Sequence, residues 1–145
     1  MDDFLKAAIL EAKAGLKEGG IPIGSVIVHN GKIIGRGHNQ RIQTGSVVLH
    51  AEMDALENAG RQRSSIYKDC VLYTTLSPCP MCTGAILLYG IPRIIVGENK
   101  TYMGAEALLI QKGVEVIVVD SNECVEMMEN FIKTNPGLWN EDIGV

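Results

Sequence analysis

The sequence has no surplus of positive charge, no long apolar run and no dense cysteine framework, and each absence closes off a class of function. Against 13 Lys and Arg stand 17 Asp and Glu, a net charge of −4, so the surface as a whole offers no electrostatic footprint for a phosphate backbone. That disfavours nucleic acid as a substrate. No apolar stretch approaches the roughly 20 residues needed to span a bilayer. The amino terminus, MDDFLKAAILEAKAG, puts two acids where a secretory signal would carry basic residues. The expectation is a soluble, cytoplasmic protein with no membrane association. Repeats, low-complexity tracts and linkers are also missing. In that compartment the 4 cysteines read as free thiols or metal ligands rather than as disulfides, because cytosolic redox poise keeps thiols reduced.

What is present is an ordinary globular composition, 46% hydrophobic and 21% charged over 145 residues, which predicts one domain, 1–145, around one core. Residues 3–18 carry Phe4, Ala8, Ala12 and Leu16 on one stripe and stop at Gly19-Gly20, an amphipathic helix. IPIGSVIVH and KIIGRGH, joined by Asn30-Gly31, read as a hairpin. After a polar loop, 39–46, HAEMDALENA reads as a helix ending at Gly60. CVLYTTL follows as a buried strand, then CPMCTGAILLYG as a helix closed by Gly90, RIIVG as a strand, 105–112 as a helix, VEVIVVD as a strand and 123–133 as a helix. Strands alternating with helices predict an α/β layered domain with parallel later neighbours. The tail, 135–145, holds the only Trp, Trp139, which reads as a core plug or a lid.

Two short patterns carry chemistry: His50-Ala51-Glu52 and Pro78-Cys79-Pro80-Met81-Cys82, each at the start of a helix. Zinc takes nitrogen and sulfur ligands tetrahedrally, and three protein ligands, His50, Cys79 and Cys82, leave one position for water. Cysteines separated by two residues in a first helical turn can reach one metal, and a helix amino terminus favours the thiolate. Glu52, about 200° round a regular helix from His50, is offset from the ligand set and suits a proton carrier. It would take a proton from water that zinc activates and pass protons to the ring and the departing amine. H-x-E with P-C-x-x-C is the established signature of zinc nucleobase deaminases. A redox pair or half of a structural zinc site are the other readings of C-x-x-C. Cys70 and Cys124 look like small core residues.

At these residues the chain resembles the cytidine deaminase superfamily, and more narrowly the fungal-type cytosine deaminases. KEGGIPIG, GRGHN, LHAE, LYTTLSPCPMCTGAI, YGIPR, VGEN and a terminal W-x-E-D-I-G carry the resemblance over nearly the whole chain. It implies a three-layer α-β-α fold with a central five-stranded mixed sheet, one Zn2+ per subunit and a homodimer. It also implies substrate contacts: Asn39 and the Ala51 N–H to the ring carbonyl, Asp142 to the ring N1–H, the Ser77 carbonyl to the amino group, and Tyr102 with Trp139 over the base. From the residues alone, Asn39 also reads as a turn residue, Asp142 as a solvated tail acid and Trp139 as core.

The chain departs from the family pattern at Ala51 (usually Gly), Pro80 (an acid in the fungal enzymes) and Tyr102 (usually Phe). The segment MGAEALL is also shorter. Cytosine is the expected substrate. Isocytosine, guanine and creatinine are the alternatives on the same machinery. The tRNA adenosine deaminases share H-A-E with P-C-x-x-C but need a basic surface. A zinc-stabilised scaffold without turnover is the non-enzyme alternative.

Overall fold

The computed structural model describes residues 2–145. Helix α1 (Asp3–Lys17) starts at Asp2, whose carboxylate accepts the Phe4 N–H at 2.7 Å, a side-chain cap for an otherwise orphaned donor. Its buried stripe is Leu5, Ala8, Ile9 and Ala12. The expected stripe through Leu16 is rotated by one position, and Leu16 is exposed. Strands β1 (Gly24–His29) and β2 (Lys32–His38) form the expected hairpin, with positive φ at both Asn30 and Gly31, as a type I′ turn requires. β1 begins at Gly24 rather than Ile21. Pro22 has no N–H to give to a ladder, so Ile21 and Ile23 turn into the core instead.

The polar loop contains a single helical turn, α2 (Arg41–Thr44), closed by Gly45 in the left-handed region. Then come α3 (Ala51–Ala59), α4 (Ser64–Tyr67), β3 (Cys70–Leu76) and α5 (Pro80–Tyr89). β4 (Arg93–Glu98), α6 (Glu106–Gln111), β5 (Glu115–Val118) and α7 (Asn122–Thr134) follow, and α8 (Pro136–Asp142) closes the chain. α2, α4 and α8 were not expected as helices. Each is four to seven residues long, too short for a hydrophobic period to register.

The sheet order is β2-β1-β3-β4-β5, antiparallel for β2-β1 and β1-β3 and parallel for β3-β4 and β4-β5. This is the mixed five-stranded sheet expected from the resemblance. Side chains alternate between two apolar faces, as strand geometry demands. Ile27, Leu72, Ile94 and Val96 meet Ala55 of α3, Ile86 of α5 and Leu109 of α6. Val26, Val28, Tyr73 and Ile95 meet Leu5 and Ala8 of α1 and Cys124 of α7. Helices on both faces make the three layers. No helix among the described residues is long and apolar enough to cross a membrane.

The register puts Gly24, His38, Leu76 and Glu98 at one end of the sheet. There the carboxyl ends of the parallel strands β3 and β4 meet the strand direction change at β1, the usual ligand-binding crevice of open α/β sheets. A third apolar cluster lies at that end: Ile21, Ile23, Ala51, Leu76, Met128, Phe131 and Trp139. Helix α3 reaches it by lying close on β2. A Cβ at Gly37 would sit 2.5 Å from Asp54 Oδ2 and 2.6 Å from Ala55 N, so only glycine allows that approach. Asp54 accepts the His38 N–H at 3.0 Å and fixes the helix along the strand.

Candidate metal centre and active site

Two helix starts converge at this end of the sheet. His50 is not within α3 but precedes it, with extended backbone (φ −64°, ψ 165°). Cys79 likewise precedes α5 (φ −67°, ψ 170°), with Pro80 as the first helical residue and Cys82 in the first turn. The Cys82 N–H points at Cys79 Sγ, 3.5 Å away. This is a helix start that favours a thiolate cap. Because His50 stands outside the helix, the extended segment rather than the helical 200° offset separates it from Glu52.

His50 Nδ1 lies 3.4 Å from Cys79 Sγ and 3.8 Å from Cys82 Sγ, and the three donor atoms lie within 4.8 Å of one another. Zinc–sulfur bonds of about 2.3 Å and zinc–nitrogen bonds of about 2.0 Å at tetrahedral angles set ligand atoms roughly 3.5–3.8 Å apart, so the donor set fits zinc. The far side of the imidazole supports the fit. His50 Nε2 is 3.2 Å from the Asp142 carbonyl oxygen and 3.4 Å from its Oδ2. A proton held at Nε2 by these oxygens leaves the Nδ1 lone pair facing the thiols, the usual outer support of a metal-ligating histidine. Glu52 is not part of this donor group.

The four titratable groups and Asp142 are electrostatically coupled. A hydrogen bond from Cys82 pulls the Cys79 thiol down to about 4 against the opposing effect of burial, and His50 adds to the pull. Cys82, as the donor in that bond and deeply buried, is pushed well above its ordinary value. Burial drives the His50 imidazolium down, but hydrogen bonds to Asp142 and Cys79 outweigh it and bring it to about 10. Burial raises Glu52 to about 7, with His50 opposing and Cys79 reinforcing. Burial also raises Asp142, yet its bonds to His50 and Asn39 win and hold the carboxyl below its usual value.

Around the ligands is a cavity of about 20 Å³ lined by Ile23, His50, Glu52, Leu76, Ser77, Cys79, Tyr102, Trp139 and Asp142. That is room for about one water on the usual measure. Tyr102 and Trp139 meet edge to face, ring centroids 5.8 Å apart and planes at 84°. Trp139 is only 6% exposed, so it is at once core and cover. Asn39 and Ala51 are fully buried and do not line the cavity itself. Asn39 Oδ1 accepts the Arg41 N–H at 3.0 Å, the expected turn bond, while Nδ2 donates to Asp142 Oδ1 at 2.9 Å. One of its two amide protons remains for another acceptor. Asp142 is no solvated tail acid, being 7% exposed.

Glu98, Glu106, Ile23, Leu76 and Arg41 had no sequence signal. Ser77 Oγ donates to Glu106 Oε2 at 2.5 Å and accepts the Gly104 N–H at 2.9 Å. Glu98, fully buried, accepts the N–H groups of Lys100 and Thr101 at 2.7 and 2.9 Å and the Thr101 hydroxyl. Together these two acids fix the loop that carries Tyr102. Ile23 and Leu76 supply apolar wall, and Arg41 reaches Asp142 from α2. Acids and arginines of this kind are common in loops, and only the fold tells which ones are buried.

Comparison with known proteins agrees with this geometry. The profile of the cytidine and deoxycytidylate deaminase zinc-binding region matches residues 1–98. The cytosine deaminase of Candida albicans is 56% identical over 97% of this chain and 94% of its own length. A tRNA-specific adenosine deaminase of Streptococcus pyogenes is 43% identical over 72% of this chain and 67% of its own. A structure solved for A-to-I editing by tRNA:A34 deaminases superposes with a TM-score of 0.76 at 28% identity, covering 86% of this chain and 98% of that one. The chain belongs to the cytidine and deoxycytidylate deaminase family and is a zinc-dependent hydrolytic deaminase.

Proposed function

We propose that residues 1–145 form one domain that hydrolyses the exocyclic amino group of a small free nucleobase, cytosine, to give uracil and ammonia. One observation carries this reading. The chain's own carboxyl-terminal helix α8 lays Trp139 and Asp142 beside the three candidate ligands, an aromatic cover and an acid that suit a flat base and leave no room for a folded RNA stem. The match to the Candida albicans cytosine deaminase covers 97% of the chain and so reaches into this helix, whereas the match to the Streptococcus pyogenes tRNA enzyme covers 72%. The net charge of −4 argues in the same direction.

His50, Cys79 and Cys82 would hold the zinc. When bound, zinc supplies Lewis acidity and brings the pKa of a coordinated water to about 7. Glu52, raised to about 7 by burial, can accept a proton from water and return it at neutral pH. It would pass that proton to the ring nitrogen beside the amino-bearing carbon as the water oxygen bonds to that carbon, then take the second proton from the added oxygen and give it to the amine as the C–N bond breaks and the carbonyl forms. Ionised Asp142 would accept the ring N1–H, which a nucleoside lacks. The Ser77 carbonyl would face the amino group, and the free Asn39 amide proton with the Ala51 N–H would face the ring carbonyl. Tyr102 and Trp139 would cover the apolar faces.

The exposed apolar side chains Leu88 and Tyr89 of α5 and Leu108 and Ile110 of α6 support a homodimer through this helical layer, in the cytoplasm. The test is ammonia release from cytosine, 5-methylcytosine, isocytosine, guanine, creatinine, cytidine and a tRNA hairpin. Cytosine is expected to lead. A preference for cytidine would overturn the free-base reading.

A further inference from the structure

One cation beside the cavity has no role in the proton or metal chemistry. Arg41, the first residue of α2, has a side chain only 10% exposed. Its Nε donates to the Val47 carbonyl at 3.0 Å, which pins the guanidinium plane to the loop before His50. That leaves its two terminal nitrogens facing α8: Nη1 is 3.5 Å from Asp142 Oδ1 and Nη2 is 3.7 Å from Glu141 Oε1. Its backbone N–H in turn binds Asn39 Oδ1 at 3.0 Å. A single residue thus touches both polar side chains proposed to read the base edge, Asn39 and Asp142, and a neighbour of one of them.

We propose that Arg41 is a positioning residue, which fastens α8 over the cavity and turns the Asp142 carboxylate toward the base. The proposal rests on the free-base reading of Asp142. Physically, Asp142 is held between two ends. Oδ2 faces His50, and Oδ1 takes Asn39 at 2.9 Å and Arg41 at 3.5 Å. Without the guanidinium, the buried carboxylate keeps its neutral donor and its histidine but loses the fixed positive charge. α8, seven residues long, also loses a tie to the rest of the chain. A helix that short has little stability of its own, so its docking depends on such ties and on Trp139. Lysine cannot replace the fork, because one ammonium cannot serve the Val47 carbonyl and two carboxylates in fixed directions.

The test uses the zinc-loaded protein and its only tryptophan. In R41M, zinc content stays at the wild-type level, while acrylamide quenching of Trp139 fluorescence rises by roughly twofold or more as α8 undocks part of the time. With cytosine, KM rises by roughly 10- to 100-fold, the low end of what removing one member of a buried hydrogen-bonded charge pair costs, and kcat changes much less. R41K recovers part of the quenching protection and little of KM. In a D142N background R41M adds little further to KM, because both changes act through one carboxylate. Unchanged quenching together with unchanged KM in R41M would overturn the proposal. So would loss of zinc in both R41M and R41K, or a KM effect of full size in the D142N background. If wild type releases no ammonia from cytosine, the substrate reading fails, and the quenching arm still decides the role of Arg41 at α8.

Discussion

Replacing Glu52 by Gln separates proton transfer from everything else the site does. The side chain keeps its volume, and the three candidate ligands His50, Cys79 and Cys82 are untouched. Zinc should therefore remain at one equivalent per chain. General acid–base catalysis by one side chain contributes about 10²- to 10⁴-fold, so ammonia release in a glutamate dehydrogenase-coupled assay should fall by at least about 10²-fold. A second consequence follows from burial. Glu52 is 4% exposed, and its pKa rises from 4.5 to about 7. In chelator-treated protein the folded state holds this proton more tightly than the unfolded chain does, so wild type loses stability as pH climbs from 4.5 through 7. The full difference is about 3 kcal/mol at 1.36 kcal/mol per pH unit. Glu52→Gln has no such proton to lose, so in urea titrations it should gain on wild type across that window and level off above it. A wild-type rate of ammonia release would refute the role of Glu52 as proton carrier. Parallel stability curves for the two proteins would refute the reading of its burial.

Cys82→Ala should lose both zinc and activity, because two protein ligands hold the metal poorly, and a full zinc equivalent by elemental analysis would remove Cys82 from the ligand set. The cluster at His38 should give a pH-dependent stability. Burial pushes its imidazolium down, but hydrogen bonds to Glu11 and Glu18, at 2.9 and 2.8 Å, raise it above 6.5 overall. The contribution is then present below 6.5 and lost as pH rises through the raised value. Glu18, lowered from 4.5 chiefly by its bond to His38, loses its share as pH falls below that value. The gap in urea midpoint between wild type and His38→Gln should be widest between about pH 4.5 and 6.5 and shrink on either side. A gap independent of pH would show that packing, not charge, is what His38 supplies.

The strands and long helices were legible because each has a period long enough to read. The Asn30-Gly31 turn and the glycine stop at Gly90 were legible because left-handed backbone is costly for other residues. His50, Glu52, Cys79 and Cys82 were legible for a related reason. A metal and its base need given atoms at given spacings, and those spacings are short enough to lie within two segments of the sequence. Sequence also placed Asn39, Ser77, Tyr102, Trp139 and Asp142 at the site, though only through resemblance.

Tertiary structure alone decided how those parts meet. His50 stands ahead of its helix rather than in it, since the extended backbone at ψ 165° is a choice local propensity does not fix. α8 depends on Trp139 finding an apolar cluster drawn from residues 21 to 139, so nothing within seven residues could announce it. Arg41, Glu98 and Glu106 were silent for the same reason: a charged side chain is usually solvated, and burial is a property of the fold. The sequence by itself determined which chemistry the protein carries, because chemistry is written in residue types at close spacing. The fold decided what the chemistry is enclosed by and what holds it in line, because those contacts join Asn39 and Arg41 to Asp142 across more than a hundred residues of chain.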